Sequence, residues 1–415
     1  MSKVAIVGAG VIGLSTAYEL IKEGHSVEVI DQGGPGEGCS YGNAGMIVPS
    51  HFVTLPSPGV IAKALRWMTY STSPFTVRLS LTRPSLDFLW KFYLHANQVH
   101  VEKHMDLLIK MHLHSRGIFQ EWEKELESFK VETEGISMLY NSVKGEKEEK
   151  ELAMRSNDLG IPALFLSREE LEEKEPGLKF NVLGGIHYSL DAHLNPTQLM
   201  MALRKELINR GAVFHNHSRV TGISVSKGEI TGINSDKGLF QSEYYVIATG
   251  AWSQEIGKSL GIYLPVQSGK GFSFLADNRD QAFRIPKLIN EAKVTITPYG
   301  NRIRFGGTML IGDRTSVIHK DRIRGILNSL SRYFPDFPLP ELEDLSPWVG
   351  FRPVSPDGLP YLGPLSRFPN VIIATGHAMT GISQAASTGR LVTKIIAGEK
   401  PEIPIGELNP ERFNK

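Results

Sequence analysis

The feature that most constrains this chain is a glycine pattern near its start, G-x-G-x-x-G, formed by Gly8, Gly10 and Gly13. It lies between a short β-branched apolar run, Lys3 to Val7, and a helical segment, LSTAYELIKEG. A second apolar run, VEVID, follows. Strand, glycine turn, helix and strand within about 30 residues make a βαβ unit, with Gly24 closing the helix. Gly8 permits the tight turn, Gly10 lets the backbone approach a pyrophosphate, and Gly13 lets the helix pack closely on the strand. The helix start points unpaired N–H groups and its positive dipole end at the phosphates. Asp31 ends the second strand, where a carboxylate accepts hydrogen bonds from ribose hydroxyls. Val7, Ala9, Val11 and Ile12 complete the turn and Gln32 follows the acid, so these five join the nucleotide-contacting candidates. The motif alone does not separate NAD from FAD.

A chain of 415 residues exceeds one simple core and suits two domains. Its 45 basic and 44 acidic residues leave a net charge of +1, so nothing argues for a nucleic-acid partner. The single cysteine, Cys39, excludes an internal disulfide and a multi-thiolate metal site. The histidines lack ligand spacing, so no metal is expected. No leader-like segment and no run of about 18 apolar residues occur, so a cytoplasmic location is expected. Peripheral membrane contact stays open: Val60, Ile61, Ala64, Leu65 and Met68 have helical apolar spacing beside Lys63, Arg66 and Trp67. Such a stripe suits a membrane surface near a quinone pool, and suits a protein core more often.

Residues 35–58 are rich in Gly, Ser and Pro without a period, which reads as a long functional loop. Helices are expected over Pro84 to Ala96, Val101 to Phe129 and Thr197 to Asn209, the last with Pro196 in its first turn. The charged stretch from Lys144 reads as a solvated turn entering a helix. Strand-rich blocks precede Ala248-Thr249-Gly250 and fill Pro265 to Gly312. The end of the chain returns to strand, glycine turn and helix, with Gly376, His377 and Gly381 before the helix. A helix N-terminus with so little side-chain bulk suits negative charge on a reduced flavin ring.

The expected fold is α/β, α+β overall: a Rossmann-like nucleotide domain split along the chain, with a second, substrate domain on a mixed or antiparallel sheet. The expected division places the nucleotide domain in 1–80, 186–260 and 346–415. A substrate and helical region takes 81–185, and the substrate-domain sheet 261–345.

Several segments together resemble the D-amino-acid oxidase/glycine oxidase superfamily of flavoproteins, and within it the bacterial D-amino-acid dehydrogenases. They are VAIVGAGVIG, CSYGNAGMIVPSH, PGVIAKALRWM, NRIRFGGTM, WVGFRPVSPDGLPYLG and ATGHAMTGISQAASTG, spread over nearly the whole chain. The resemblance implies FAD as cofactor. It implies that the loop from Ser40 wraps the flavin, with Asn43, Ala44, Gly45 and Met46 near the ring. Val220 then meets the adenine side by its backbone, Thr249 and Gly250 run along the nucleotide, and Gly376, Met379, Thr380, Gly381 and Ile382 line the ring's pyrimidine side. Arg352 matches the arginine that pairs with the substrate carboxylate, and Met309 fits a position beside the substrate. Thr295 stands where glycine oxidases carry a tyrosine. No cysteine matches the flavin tether of monomeric sarcosine oxidases, so non-covalent FAD is expected.

Arg352 carries most of the catalytic expectation, because a planar guanidinium clamps a carboxylate with two parallel hydrogen bonds and fixes Cα over the flavin N5. His377 is a candidate proton-handling or flavin-contacting group, and His51 a candidate for the substrate side. Cys39 reads as a small packed side chain. The resemblance implies oxidative deamination of a D-amino acid by hydride transfer from Cα to flavin N5. The imino acid product hydrolyses to a 2-oxo acid, and electrons pass to a quinone-type acceptor. A cyclic substrate such as D-proline or a D-hydroxyproline gives a cyclic imine. The alternatives are an oxygen-using glycine or sarcosine type of amine oxidase, a flavin-binding electron-transfer subunit without its own substrate, and an NAD-dependent dehydrogenase.

Overall fold

Strand β1 (Lys3–Val7) is apolar on both faces because both are covered. Val4 and Ile6 enter one core cluster, Ala5 and Val7 another, and all four are buried. That is the pattern of a central parallel strand. A computed structural model describes residues 1–67, 73–77, 82–226 and 228–414. After β1 come α1 (Val11–Lys22) and β2 (Ser26–Ile30), and Gly24 follows α1 with φ +82°. The six-stranded sheet built on them runs Val213–His215, β2, β1, Tyr244–Ile247, Val371–Thr375, Tyr361–Pro364. All its pairs are parallel except the last. One sheet thus draws strands from the start, the middle and the end of the chain.

On one face of this sheet α1 packs against the helices Gly381–Ile396 and Gln98–Glu125. The buried Glu19 carboxylate ties the three together, accepting from Trp122 Nε1 at 2.8 Å and from Arg390 Nε at 2.6 Å. A buried carboxylate with two charge-matched or polar donors keeps its hydrogen bonds despite lost water. The helix Gln98–Glu125, within the segment the sequence assigns to the substrate region, therefore contributes to the nucleotide-side core. The opposite face carries the helix Ser253–Leu260 and a three-stranded antiparallel sheet, Val220–Ser226, Glu229–Ser235 and Gly238–Phe240.

The second sheet has nine strands and is mixed. Its longest members, Gln267–Asp277 and Arg302–Ile311, pair antiparallel, while Lys287–Ile289 with Ile136–Tyr140 and Phe75–Val77 with Arg302–Ile311 are parallel. The strand Trp348–Val354 pairs with Gln267–Asp277 at one end of this sheet. Sequence reasoning grouped residue 352 with the C-terminal nucleotide segment; its strand lies in the second sheet. The charged stretch is helical throughout Val143–Asp158, and the long loop contains a short strand, Met46–Ile47.

Of the apolar-stripe helix, Val60–Trp67 is helical, with Val60 and Ile61 packed toward Phe88, Phe92 and Met309, and Leu65 exposed. Met68 lies outside the described residues. Among the described residues no helix is long and apolar enough to cross a membrane.

Candidate active site

The glycine turn joins β1 to α1 by close backbone packing. Gly8 has φ +111°, which a side chain rarely adopts. A Cβ on Gly13 would stand 1.9 Å from the Gly8 carbonyl oxygen, so only glycine lets α1 sit this close to β1. A Cβ on Gly10 would meet nothing nearer than the Ser40 hydroxyl at 3.4 Å, because that side opens into a cavity. The first turn of α1 has no acidic residue and Gly10 offers no capping side chain. The Val11 N–H is held by the Ser40 hydroxyl at 2.9 Å.

That cavity, of about 1720 Å³, extends from the glycine turn to the second sheet. One drug-sized ligand needs about 300–1,000 Å³, so this space accepts a dinucleotide and a small substrate together. Among the sequence-derived candidates, only Gly13 and Gly376 stand back from its wall. Gly376 instead turns the chain with φ +81° against Tyr361, where a Cβ would meet the ring at 2.8 Å. Val7 through Ile12, Asp31, Gln32, Val220, Thr249 and Gly250 line one end. Asp31 accepts the Ala9 N–H at 2.6 Å and the Gly33 N–H at 2.7 Å. A carboxylate has about four acceptor positions, so Asp31 braces the turn and retains capacity for ribose hydroxyls.

The loop from Ser40 crosses the middle of the cavity. Asn43 folds it locally, donating to the Ser40 carbonyl and accepting from the Gly45 N–H at 2.7 Å. Gly45, at φ +67°, passes so close to the Leu194 carbonyl that a Cβ would lie 2.0 Å away. Arg304, which sequence reasoning missed, donates to the Tyr41 and Asn43 carbonyls at 2.9 and 2.8 Å and holds this loop from the second sheet. Opposite it stands the uncapped start of the helix Gly381–Ile396, with Met379, Thr380, Gly381 and Ile382 on the wall.

Arg352 faces the far end. Its Nη1 donates to the Thr308 carbonyl at 3.1 Å, and among the described residues it has no carboxylate partner. Burial pulls its pKa down to about 10, with partial compensation from the nearby Cys39, so it remains a cation at neutral pH. Two features shape its seat. A Cβ on Gly271 would lie 2.1 Å from Arg352 Nη1, so the guanidinium occupies the space a side chain would fill. Opposite Gly271 the strand Arg302–Ile311 bulges, two residues against one, and there Thr308 has φ +63°. Such a φ is a true outlier for a β-branched residue, and bulges re-aim side chains. This one turns the Thr308 carbonyl to Arg352 and puts Met309 on the wall, while the Thr308 hydroxyl is buried without a partner among the described residues. Glycine inside a strand marks a close approach. The G-K-G and G-G stretches at Gly269, Gly271, Gly306 and Gly307 were the signal for this seat.

His51 and His377 both reach the cavity wall. Burial depresses His377 to about 3, and its Nε2 lies 2.9 Å from the Thr388 hydroxyl. It is neutral at physiological pH and stands as a polar group on the cavity wall. Burial, then the Lys293 charge, lower His51 to about 4. The Cys39 thiol accepts the Phe351 N–H at 3.0 Å and burial pushes its pKa up, which suits a packed side chain. Thr295 also lines the cavity, donating to the Gly306 carbonyl at 3.3 Å.

Comparison with known proteins agrees with this geometry. The chain is 29% identical to the D-amino acid dehydrogenase of Granulibacter bethesdensis over 418 residues, covering 99% of both chains. It is also 29% identical to the D-amino acid dehydrogenase of Bradyrhizobium diazoefficiens over 424 residues, again covering 99% of each. Among solved structures it is similar to glycine oxidase from Geobacillus kaustophilus, with a TM-score of 0.79, 23% identity and 99% coverage of both chains. The DAO family, FAD dependent oxidoreductase, matches residues 3–395. With a glycine turn between β1 and α1 and one cavity joining two sheets, the match over residues 3–395 places this chain in the DAO family of FAD dependent oxidoreductases.

Proposed function

We propose that this enzyme oxidises a D-amino acid at its Cα–N bond. The product is an imino acid, which water hydrolyses to a 2-oxo acid and ammonia. The observation that carries the reading is Arg352: a guanidinium without a carboxylate partner among the described residues, seated on the cavity wall against Gly271 and the Thr308 carbonyl. Such a cation is a receptor for a substrate carboxylate, which it grips by two parallel hydrogen bonds. The names of the full-length relatives support the substrate class.

Non-covalent FAD would be held at its nucleotide end by the turn Val7 to Ile12, which Gly13 lets pack closely, and by Asp31, Gln32, Val220, Thr249 and Gly250. Ser40, Asn43, Ala44, Gly45, Met46 and the segment His377 to Ile382, turned into place at Gly376, would hold the other end. When bound, FAD supplies the acceptor for the hydride leaving Cα. The chain's part is positional. Arg352 orients Cα, Met309 packs beside the substrate, and the Ser40–Met46 loop with Arg304 excludes water. The nucleotide and substrate parts divide by sheet, with the helix Gln98–Glu125 on the nucleotide side and the strand Trp348–Val354 on the substrate side.

Electrons pass to a quinone-type acceptor in this reading. The exposed stripe Leu86, Trp90, Tyr93 and Leu94 on the helix Arg83–His95, near the partly exposed helix Val60–Trp67, is the face for peripheral membrane contact. Anaerobic flavin bleaching across D- and L-amino acids, D-proline and glycine tests the substrate class. Bleaching by L-amino acids alone, or by none, refutes it. Turnover with a quinone analogue against turnover in air tests the acceptor: equal rates with stoichiometric peroxide return the enzyme to the oxidases. Release of all flavin on acid precipitation tests the non-covalent link.

A further inference from the structure

Behind His51 lies a buried acid that the proposed oxidation does not use. Ser50 is almost wholly buried and Asp191 completely so. The Ser50 N–H and hydroxyl both donate to the Asp191 carboxylate, at 3.0 and 2.6 Å. The same Ser50 oxygen lies 3.2 Å from His51 Nδ1. A serine hydroxyl has one proton. While that proton points to Asp191, His51 Nδ1 must carry the proton of the second contact, and Nε2 is left with a lone pair. If Asp191 is protonated, the chain of donors reverses: Asp191 donates to Ser50, Ser50 donates to His51 Nδ1, and Nε2 carries the proton.

We propose that His51, Ser50 and Asp191 form a relay that takes the ammonium proton of the amino-acid substrate from the cavity to the buried carboxylate. The proposal rests on the amino-acid reading of the site. An ammonium N–H bond breaks as a His51 Nε2–H bond forms. His51 Nδ1–H then gives way to a Ser50 O–H, and the former Ser50 proton bonds to Asp191 Oδ2. No electrons are exchanged. The amine keeps its lone pair, which is what departure of hydride from Cα requires. His51 begins and ends neutral, as its buried position demands, and only its tautomer changes.

The destination suits the task. Burial pushes Asp191 up to about 7, against its hydrogen bonds from Ser50 and the pull of Arg116 on the helix Gln98–Glu125. Tyr188, whose buried hydroxyl has no hydrogen-bond partner among the described residues, faces Asp191 from the strand Gly184–Tyr188. His51 is faced by Lys293, from the turn between the strands Lys287–Ile289 and Val294–Tyr299, and by His112, itself neighboured by His377. Burial first, and then Lys293, whose own pKa burial lowers, disfavour an imidazolium at His51 and so favour passing the proton on.

Nitrogen-15 NMR of histidine-labelled holoenzyme reads the relay directly, with His51→Gln identifying the signal. The expected result is a change from the Nδ1–H tautomer at high pH to the Nε2–H tautomer at low pH, with a midpoint near the Asp191 value of about 7. Ser50→Ala and Asp191→Asn should each lower kcat/KM about 10²-fold and remove the pH break near that midpoint, while Ser50→Thr, which keeps the hydroxyl, restores both. One unchanging His51 tautomer overturns the relay, as does an unaltered pH profile in Ser50→Ala. An Asp191→Asn protein that fails to fold leaves the wild-type NMR result decisive. A switching tautomer in an enzyme that oxidises no amino acid refutes the substrate reading and the amine as proton source, and supports the tautomer coupling alone.

Discussion

Gly271→Ala inserts one methyl group under the Arg352 guanidinium. The new Cβ would lie 2.1 Å from Nη1 and 2.6 Å from Cζ. Ordinary contact begins near 3.4 Å, so the guanidinium must move by about 1.3 Å, the difference between 3.4 and 2.1 Å. It can move only into the cavity, since Gly350 pairs across from Gly271 on one side and the bulge at Thr308 fills the other. The charge remains, but the fork no longer presents both N–H groups to the same carboxylate position. A misplacement of about 1 Å costs on the order of 10²-fold in rate, or about 3 kcal/mol of transition-state stabilisation. The assay is kcat/KM on the best D-amino acid, with the affinity of a carboxylate inhibitor measured by flavin spectral shift. Both should fall, while flavin content and Tm hold, because the methyl touches neither the glycine turn nor a core cluster. Unchanged inhibitor affinity would show that the carboxylate does not bind at Arg352, and would refute the argument from this seat.

Arg352→Lys should keep FAD and lose binding through the missing fork, and Arg352→Ala should lose about 3–5 kcal/mol, or 10²–10⁴ in kcat/KM; an alanine variant with near-normal kinetics would sink the assignment. Gly10→Val should give a folded protein with much reduced flavin content, because its methyl groups enter the cavity and not the packed turn; full occupancy measured by absorbance contradicts this. The third concerns acid. Burial alone would raise Asp313, but hydrogen bonds from Thr315 and the charge of Lys270 outweigh it and hold the carboxyl at about 2. A depressed carboxyl stabilises the fold above its unfolded pKa of about 3.9. That stability is therefore lost as pH falls from about 4 toward 2. Asp313→Asn should flatten that part of a denaturation-versus-pH curve, and an unchanged slope would refute the pairing.

Local motifs were legible because their chemistry is local. Gly8, Gly10, Gly13 and Asp31 act within one βαβ unit, and their spacing alone yields the turn that the structure shows. The helix of Thr197 to Asn209 and the strand-turn-helix at Gly376 were readable for the same reason: period and turn residues are properties of neighbours in sequence. The family resemblance added Arg352 and the Ser40 loop, which spacing does not supply.

The sequence by itself determined a nucleotide turn, a split architecture and the kinds of side chain present. Tertiary structure decided which of them meet. The Arg352 seat depends on Gly271 and Thr308, 81 and 44 positions earlier in the chain, and on a bulge that only strand pairing creates. Asp191 is 141 residues from Ser50, and no local pattern marks it. His377 reads in sequence as a proton-handling or flavin-contacting group in a glycine-rich turn, and its burial, which keeps it neutral, is set by distant packing. Burial and pairing across sheets are set by the packing of distant segments, and those two quantities govern charge, pKa and the direction of hydrogen bonds in this site.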